Sequence, residues 1–268
     1  MNEWWLAYLV LGAFVGFSAG LLGVGGGATM VPILTSLFVA QGFPPGELVH
    51  LALGTSMAGI VLTSLSSIRA HHAHGAVLWP VVARITPGIL VGTFAGTFVA
   101  SRVDSKPLAI FFSVFIFCVA IQMMLALKPK ASRTLPGMAG MNGVGFIIGG
   151  VSALVAIGGG SMSVPFMTWC NVRIQNAIAT SAAIGLPIAI AGTLGYLING
   201  WGRAGLPDYT VGFIYLPAFV LVSAVSVLTA PMGARLAHRL PVATLKRIFA
   251  AVLLLLCAKM LHSVFMQG

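Results

Sequence analysis

The chain alternates long apolar tracts with short breaks that hold most of its glycine, proline and basic residues. The tracts at residues 51–68 and 108–127 approach or reach the length of about 20 residues that crosses a bilayer core, and residues 85–100 form a third. The first apolar stretch, residues 6–22, runs into a glycine cluster and not into a small-residue cleavage site, so no cleavable signal is expected. The pattern predicts an all-α polytopic membrane protein.

Composition supports lipid as the surrounding medium. Of the 268 residues, 59% are hydrophobic and only 7% are charged, against about 25% charged in ordinary soluble domains. The net charge of +10 would suit nucleic acid, but the basic residues sit mostly at tract ends, so no nucleic-acid partner is expected. Cys118, Cys170 and Cys257 stand alone within apolar tracts, which indicates packing, with no metal site and no cofactor.

One short pattern occurs twice. The chain reads Gly25-Gly26-Gly27-Ala28-Thr29-Met30-Val31-Pro32 and later Gly158-Gly159-Gly160-Ser161-Met162-Ser163-Val164-Pro165. A Thr-Ser pair follows each copy in the next tract, at Thr55-Ser56 and at Thr180-Ser181. Glycine-interrupted apolar segments in corresponding places of two halves point to the binding site of a transporter.

The most polar break, residues 128–133, divides the chain into two repeats, 1–133 and 134–268. Each repeat is predicted to hold a helix before the glycines, a short helix after them and three further spans. The first repeat places these at residues 4–22, 28–40, 50–68, 77–101 and 107–127, and the second at 142–156, 161–170, 176–198, 210–234 and 244–265.

The helix after the second glycine cluster is too short to cross the membrane. Ten residues at 1.5 Å each span about 15 Å, half of a bilayer core. Two arrangements stay open: a broken, tilted pair of helices, or a re-entrant hairpin. Both return the chain to its starting side, and three further spans then invert the second repeat relative to the first. The fold class predicted is therefore a helical bundle of two inverted repeats.

Basic residues agree with that topology. If the side of the 128–133 linker is called the inside, most basic residues fall there, as the positive-inside rule requires. The inside set is Arg69, Arg84, Lys128, Lys130, Arg133, Arg173, Arg235, Arg239, Lys246 and Arg247, and the outside set is Arg102, Lys106, Arg203 and Lys259. This orientation places both termini on the outside, which would be the periplasm in a bacterial inner membrane.

The glycine clusters have a direct chemical interpretation. A helix that begins there presents unpaired N–H groups and a partial positive charge at its N-terminus, and two such ends facing each other would hold a small anion. The alternative is that these glycines serve only close helix packing, as we expect of Gly16, Gly92 and Gly96. The candidate substrate-binding residues are Gly25, Gly26, Gly27, Ala28, Thr29, Thr55, Ser56, Gly158, Gly159, Gly160, Ser161, Met162, Thr180 and Ser181.

Other polar residues carry weaker signals. The histidines near residue 71 could bind a metal or protons, but a solvated loop is the preferred interpretation because no carboxylate or cysteine lies nearby in sequence. They are His71, His72 and His74. His50 stands at a helix start and is expected at the membrane interface. Arg84 is expected to extend to the headgroups, with the anion path as the alternative.

The paired motifs, with the stretch from Arg69 to Trp79 and the segment from Gly233 to Ala237, resemble the sulfite exporter TauE/SafE family of membrane permeases. The resemblance covers essentially the whole chain. It implies a bacterial inner-membrane transporter with two repeated halves. Members are associated with sulfur-containing anions such as sulfite, sulfoacetate or thiosulfate, and many have no assigned substrate.

These observations predict a secondary transporter, most simply an exporter, of small anions and not an enzyme. No Walker motif is present for direct use of ATP. A passive anion channel is one alternative. An intramembrane hydrolase that uses Ser161 or Ser163 is a weaker one, because no histidine lies mid-tract to serve as its base. Coupling ion and direction stay undetermined, and a homodimer stays open.

Overall fold

The protein was analysed as a computed structural model that describes residues 3–22, 26–73, 75–125, 132–237 and 242–266. The described chain forms helices joined by short connections, with one small β-hairpin. The helices are α1 Glu3–Leu22, α2 Gly27–Ala40, α3 Leu48–Ala73, α4 Trp79–Ala100, α5 Ser105–Met124, α6 Met138–Val155, α7 Gly160–Trp169, α8 Ile174–Gly200, α9 Leu216–Ala237 and α10 Val242–Met266. The hairpin pairs β1 Thr210–Val211 with β2 Ile214–Tyr215 in antiparallel fashion.

Seven of these helices are long and apolar enough to cross a membrane: α3, α4, α5, α6, α8, α9 and α10. The prediction of an all-α polytopic membrane protein is therefore confirmed. The helices follow the predicted order, with α2 and α7 as the short helices after the glycine clusters. The division into two repeats, and the inversion of one against the other, stay predictions.

Helices α3 and α8 are the two most buried spans of the described chain, pack against each other and run antiparallel. Near the start of α3, Glu47 forms an ion pair with Arg203, which follows the end of α8. At the opposite end of both helices, the Asn176 side-chain amide of α8 donates to the Ala76 carbonyl just after α3. Equivalent helices of an inverted repeat must run in opposite directions, and α3 and α8 meet this requirement.

Two helix pairs bring the two sequence halves into contact, and glycine residues lie at both crossings. Helix α1 packs along α9, and α4 packs along α6. A Cβ atom added at Gly12 would lie 2.7 Å from the Val222 carbonyl oxygen of α9, and one at Gly149 would lie 2.5 Å from the Ile89 carbonyl oxygen of α4. Glycine is required at such crossings because the two backbones touch. The same holds for Gly16, Gly92 and Gly96, so their packing role is confirmed.

Two local expectations are wrong. Residues 71–73 continue α3, so His71 and His72 belong to a helix and not to a loop, while His74 lies outside the described residues. The span expected from residue 210 begins with the β-hairpin, and α9 starts only at Leu216. The interfacial position of His50 stays a prediction. Its side chain is 2% exposed and packs against Phe213 and the α4–α5 connection.

A glycine substitution in α6 tests the backbone crossing. Gly149→Ala places a methyl group against the Ile89 carbonyl, so we expect a loss of about 1–3 kcal/mol, the usual cost of overpacking. Gly143→Ala in the same helix meets no atom within 4 Å and serves as the control. Thermal unfolding of the purified variants measures the difference. Equal midpoints for the two variants would mean that α4 and α6 are not in backbone contact.

Candidate functional site

The two glycine clusters lie against each other in the fold. Gly26 adopts a left-handed conformation, φ 66°, and caps α2. The next residue, Gly27, touches the Ala156 carbonyl so closely that any side chain at position 27 would collide with it. Ala156 ends α6 two residues before Gly158. The chain reversal that begins α2 is thus packed on the chain reversal that precedes α7, although the two are distant in sequence.

The first turn of α2 is fully buried. The Thr29 hydroxyl donates to the Gly26 carbonyl over 2.8 Å, and the Met30 N–H bonds the same carbonyl at 3.0 Å. The Thr29 hydroxyl is therefore already used within its own turn. The N–H groups of Gly27 and Ala28 precede the first intrahelical hydrogen bond, as the opening N–H groups of any helix do. Pro32 lies inside α2 and has no N–H group to bond the Ala28 carbonyl one turn earlier.

The first turn of α7 is built in a related way. The Ser163 hydroxyl donates to the Gly159 carbonyl over 2.6 Å, and the Ser163 N–H bonds that carbonyl at 2.8 Å. Gly160 bonds the Gly158 carbonyl in a tight turn. The Ser181 hydroxyl of α8 lies 2.8 Å from the Ser163 hydroxyl oxygen. The second Thr-Ser pair thus reaches the second helix start directly.

The first Thr-Ser pair does not repeat that contact. Ser56 is fully buried, and its hydroxyl lacks a hydrogen-bond partner. The residue of α2 that aligns with Ser163 is Met30, and a thioether is only a weak acceptor. The substitution of methionine for serine between the two motif copies accounts for the difference.

Each threonine of these two pairs accepts a hydrogen bond from a backbone N–H group next to the start of a helix in the other half of the chain. Thr55 of α3 accepts the Tyr215 N–H at 3.0 Å, just before α9 begins. Thr180 of α8 accepts the Leu78 N–H at 2.9 Å, just before α4 begins. Proline follows as the second residue of each of these helices, at Pro217 and at Pro80. Both threonines are fully buried, so their structural role is to satisfy an N–H group that water cannot reach.

Exposure differs between the two helix starts. Residues 26–30 are all buried, whereas Gly160, Ser161 and Met162 are each partly exposed. Gly158 and Gly159 are buried, so exposure in the second motif copy begins at the first turn of α7.

A cavity of about 10 Å³ lies beside the first helix start, which is room for one water molecule. Gly26 and Met30 of the α2 start line it together with residues of α1, α3 and α9. Ser223 of α9 is 2% exposed and lines this cavity, and its hydroxyl has no hydrogen-bond partner. Sequence reasoning missed Ser223 because it lies far from both motif copies. A serine in an apolar span was the only available signal.

The other candidate residues take simpler places. Gly25 lies outside the described residues. Arg84 is exposed on α4, which agrees with extension to the headgroups and not with the anion path. Asn199, a polar residue near the end of α8, donates to the Gly195 carbonyl and lies 3.5 Å from the Thr97 hydroxyl of α4, so it joins helices. Within the described ranges, no group of three His, Cys, Asp or Glu side chains is arranged to hold a metal ion.

Comparison with known proteins covers nearly the whole chain. The model of a family described as "Sulfite exporter TauE/SafE" matches residues 8–260. A Haemophilus influenzae protein named "Probable membrane transporter protein" is 36% identical over 257 residues, which are 95% of this chain and 97% of that protein. A Methanocaldococcus jannaschii protein of similar name is 28% identical over 254 residues, 91% of each chain. No solved structure matches.

The threonine contacts can be tested by an isosteric change. Thr180→Val removes the acceptor of the Leu78 N–H, and a buried unsatisfied N–H costs about 1–3 kcal/mol of stability. Thr86→Val is the control, because within the described residues the Thr86 hydroxyl bonds only the Val82 carbonyl of its own helix. Thermal unfolding in detergent should show a lower midpoint for Thr180→Val. A smaller loss for Thr180→Val than for Thr86→Val would contradict the assigned role.

Proposed function

The chain belongs to the sulfite exporter TauE/SafE family of membrane transporters, and on that premise we propose that it exports sulfite or a related small sulfur oxyanion or organosulfonate. The proposed binding site is the junction of the two glycine clusters. The observation that carries the proposal is the contact of Gly27 with Ala156, which brings both clusters to one place.

The chemistry of the junction suits an anion. The starts of α2 and α7 supply backbone N–H groups and the positive ends of two helix dipoles. The buried polar side chains of the described residues around them bear hydroxyl groups, namely Thr29, Ser56, Ser163, Ser181 and Ser223. Of these, Ser56 and Ser223 have no hydrogen-bond partner within the described chain, so their hydroxyls can donate to an oxyanion, as backbone amides can, without the cost of burying a fixed charge in lipid surroundings.

Transport requires the junction to open, because a cavity of about 10 Å³ does not hold an oxyanion. The helix pairs indicate which parts would move. Helices α1 and α9 are locked by backbone contact, as are α4 and α6, and each pair takes one helix from each sequence half. We therefore propose that these mixed pairs move as units against the central α3 and α8, in place of one sequence half rocking on the other.

The alternatives gain less support. Ser163 bonds Gly159 and Ser181, and no histidine is among its partners within the described chain, so nothing there favours a hydrolase.

A passive channel differs from a carrier in its kinetics. Saturable flux with counterflow of labelled sulfite in proteoliposomes would identify a carrier, and flux without counterflow would identify a channel.

The glycine site is tested by a bulky residue at the second cluster. In Gly159→Leu the side chain would enter space already occupied by Ile184 and Ser163, so we expect loss of sulfite transport in proteoliposomes. Gly26→Leu is expected to do the same at the first cluster. Gly143→Leu is the matched control, because Gly143 is exposed on α6 and meets no neighbour. Normal transport by a stably inserted Gly159→Leu protein would place the site elsewhere.

Ligand identity is tested by thermal stabilisation. A ligand present at 100 times its Kd stabilises the folded protein by about 2.7 kcal/mol, so sulfite, thiosulfate, sulfoacetate and taurine can be ranked on purified protein.

Ser223→Ala removes one donor to the anion and should weaken binding about 10-fold to about 100-fold. Ser36→Ala is the control, because Ser36 bonds only the Pro32 carbonyl of its own helix. Unchanged stabilisation of Ser223→Ala would remove this residue from the site.

A further inference from the structure

A basic depression lies beside the C-terminal end of α7, the end away from the glycine cluster. Ser132, Arg133, Thr134 and Asn171 line this open cavity of about 420 Å³. Ligand sites in proteins commonly measure about 300 to about 1,000 Å³. All four residues are exposed. Asn171 lies between α7 and α8, and residues 132–134 lead into α6. The cavity therefore opens at one end of the bundle and not in its interior.

Trp169, the last residue of α7, fixes the wall of the depression. The backbone N–H groups of Ser132 and Arg133 both donate to the Trp169 carbonyl over 3.2 Å, and the indole Nε1 donates to the Ser132 hydroxyl over 2.9 Å. The central carbon of the Arg133 guanidinium lies 5.5 Å from the centre of the Trp169 ring, as in a cation–π contact. A cation that is already held in place loses less conformational freedom when it binds a ligand.

The acidic residues of the chain belong to the opposite end of the bundle. They are Glu3, Glu47, Asp104 and Asp208. Glu47 precedes α3, and the α4–α5 and α8–β1 connections, which carry Asp104 and Asp208, contact the same end of α3. Glu3 begins α1, whose Tyr8 bonds Gln41 at the start of the connection that leads to Glu47. Arg133 forms no ion pair in the part of the chain that the structure describes, so a counter-charge for it has to come from another molecule.

The depth of the depression indicates which anion is at hand. The ten residues of α7 span about 15 Å, half of a bilayer core, so a helix that starts near the midplane ends at the lipid headgroups. Trp169 is 42% exposed, and exposed tryptophan is typical of that level. Lipid phosphates are the abundant anions there. A phosphate offers two oxygens to the paired N–H groups of a guanidinium.

We propose that the depression binds the phosphate group of an anionic phospholipid. Arg133 donates to the phosphate oxygens, and the side-chain amide of Asn171, which lines the same cavity, provides a second donor. Because Trp169 joins α7 to residues 132 and 133, the bound headgroup fixes the end of α7 against the segment that connects the two halves. This site is separate from the glycine clusters and does not depend on which anion the protein carries.

Native mass spectrometry of the purified full chain measures the binding directly. The probes are phosphatidylglycerol and phosphatidylcholine with identical acyl chains, which differ in net charge. Arg133→Gln should weaken phosphatidylglycerol binding about 10-fold, because it removes a hydrogen-bonded charge. Arg133→Lys keeps the charge without the paired N–H groups and should give an intermediate affinity. Arg84→Gln is the matched control, because Arg84 is an exposed arginine of α4 outside the depression, and it should bind as wild type does.

A second variant leaves the contacts of Trp169 with residues 132 and 133 in place. Asn171 has a φ of 65°, a left-handed conformation that glycine adopts without strain. Asn171→Gly therefore removes the side-chain amide and keeps the backbone turn between α7 and α8. We expect phosphatidylglycerol binding to weaken about 3-fold, which is less than for Arg133→Gln because the lost donor is uncharged.

Three results would overturn the proposal. The first is equal phosphatidylglycerol affinity in Arg133→Gln and Arg84→Gln. The second is equal binding of the two lipids by wild type, since only one of them carries net negative charge. The third is displacement of bound phosphatidylglycerol by an excess of inorganic phosphate or sulfite, which would assign the depression to a soluble anion. Transport is not measured, so failure of the lipid site leaves the proposed export of sulfur oxyanions unaffected.

Discussion

The contact of Gly27 with the Ala156 carbonyl is the constraint on which the rest of the molecule depends. It leaves no room for a side chain at position 27. The two chain reversals, which come from different halves of the sequence, can therefore pack together only because residue 27 is glycine. That contact places the start of α2 against the turn that leads from α6 into α7.

The need for hydrogen-bond partners at helix starts explains several of the other contacts between the two halves. In lipid surroundings every backbone N–H and carbonyl group must find a protein partner. The first N–H groups of a helix have no partner within the helix and must find one elsewhere. Thr55 and Thr180 supply them to Tyr215 and Leu78, each across the boundary between halves. The polar side chains next to the glycine clusters thus divide into two sets. Thr55 and Thr180 bond backbone N–H groups at helix starts, while the buried hydroxyls of Ser223 and Ser56 have no hydrogen-bond partner within the described chain.

The two halves differ where their sequences differ. Ser163 and Ser181 meet at the second cluster, whereas Met30 stands at the corresponding position of the first and leaves Ser56 unpaired. The second helix start is partly exposed, and the first is buried.

The sequence alone determined the membrane class, the order of the ten helices and the two glycine clusters, because hydropathy and helix breaks are properties of neighbouring residues. Its wrong expectations are the start of the span at residue 210, where the structure has a hairpin before α9, and the loop at residue 71, where α3 continues through residue 73. Only the tertiary structure decided that α1 pairs with α9 and α4 with α6, and that Thr55 serves Tyr215, 160 residues away. Such contacts depend on which glycine faces and unpaired backbone groups match in space, and no local pattern encodes that match.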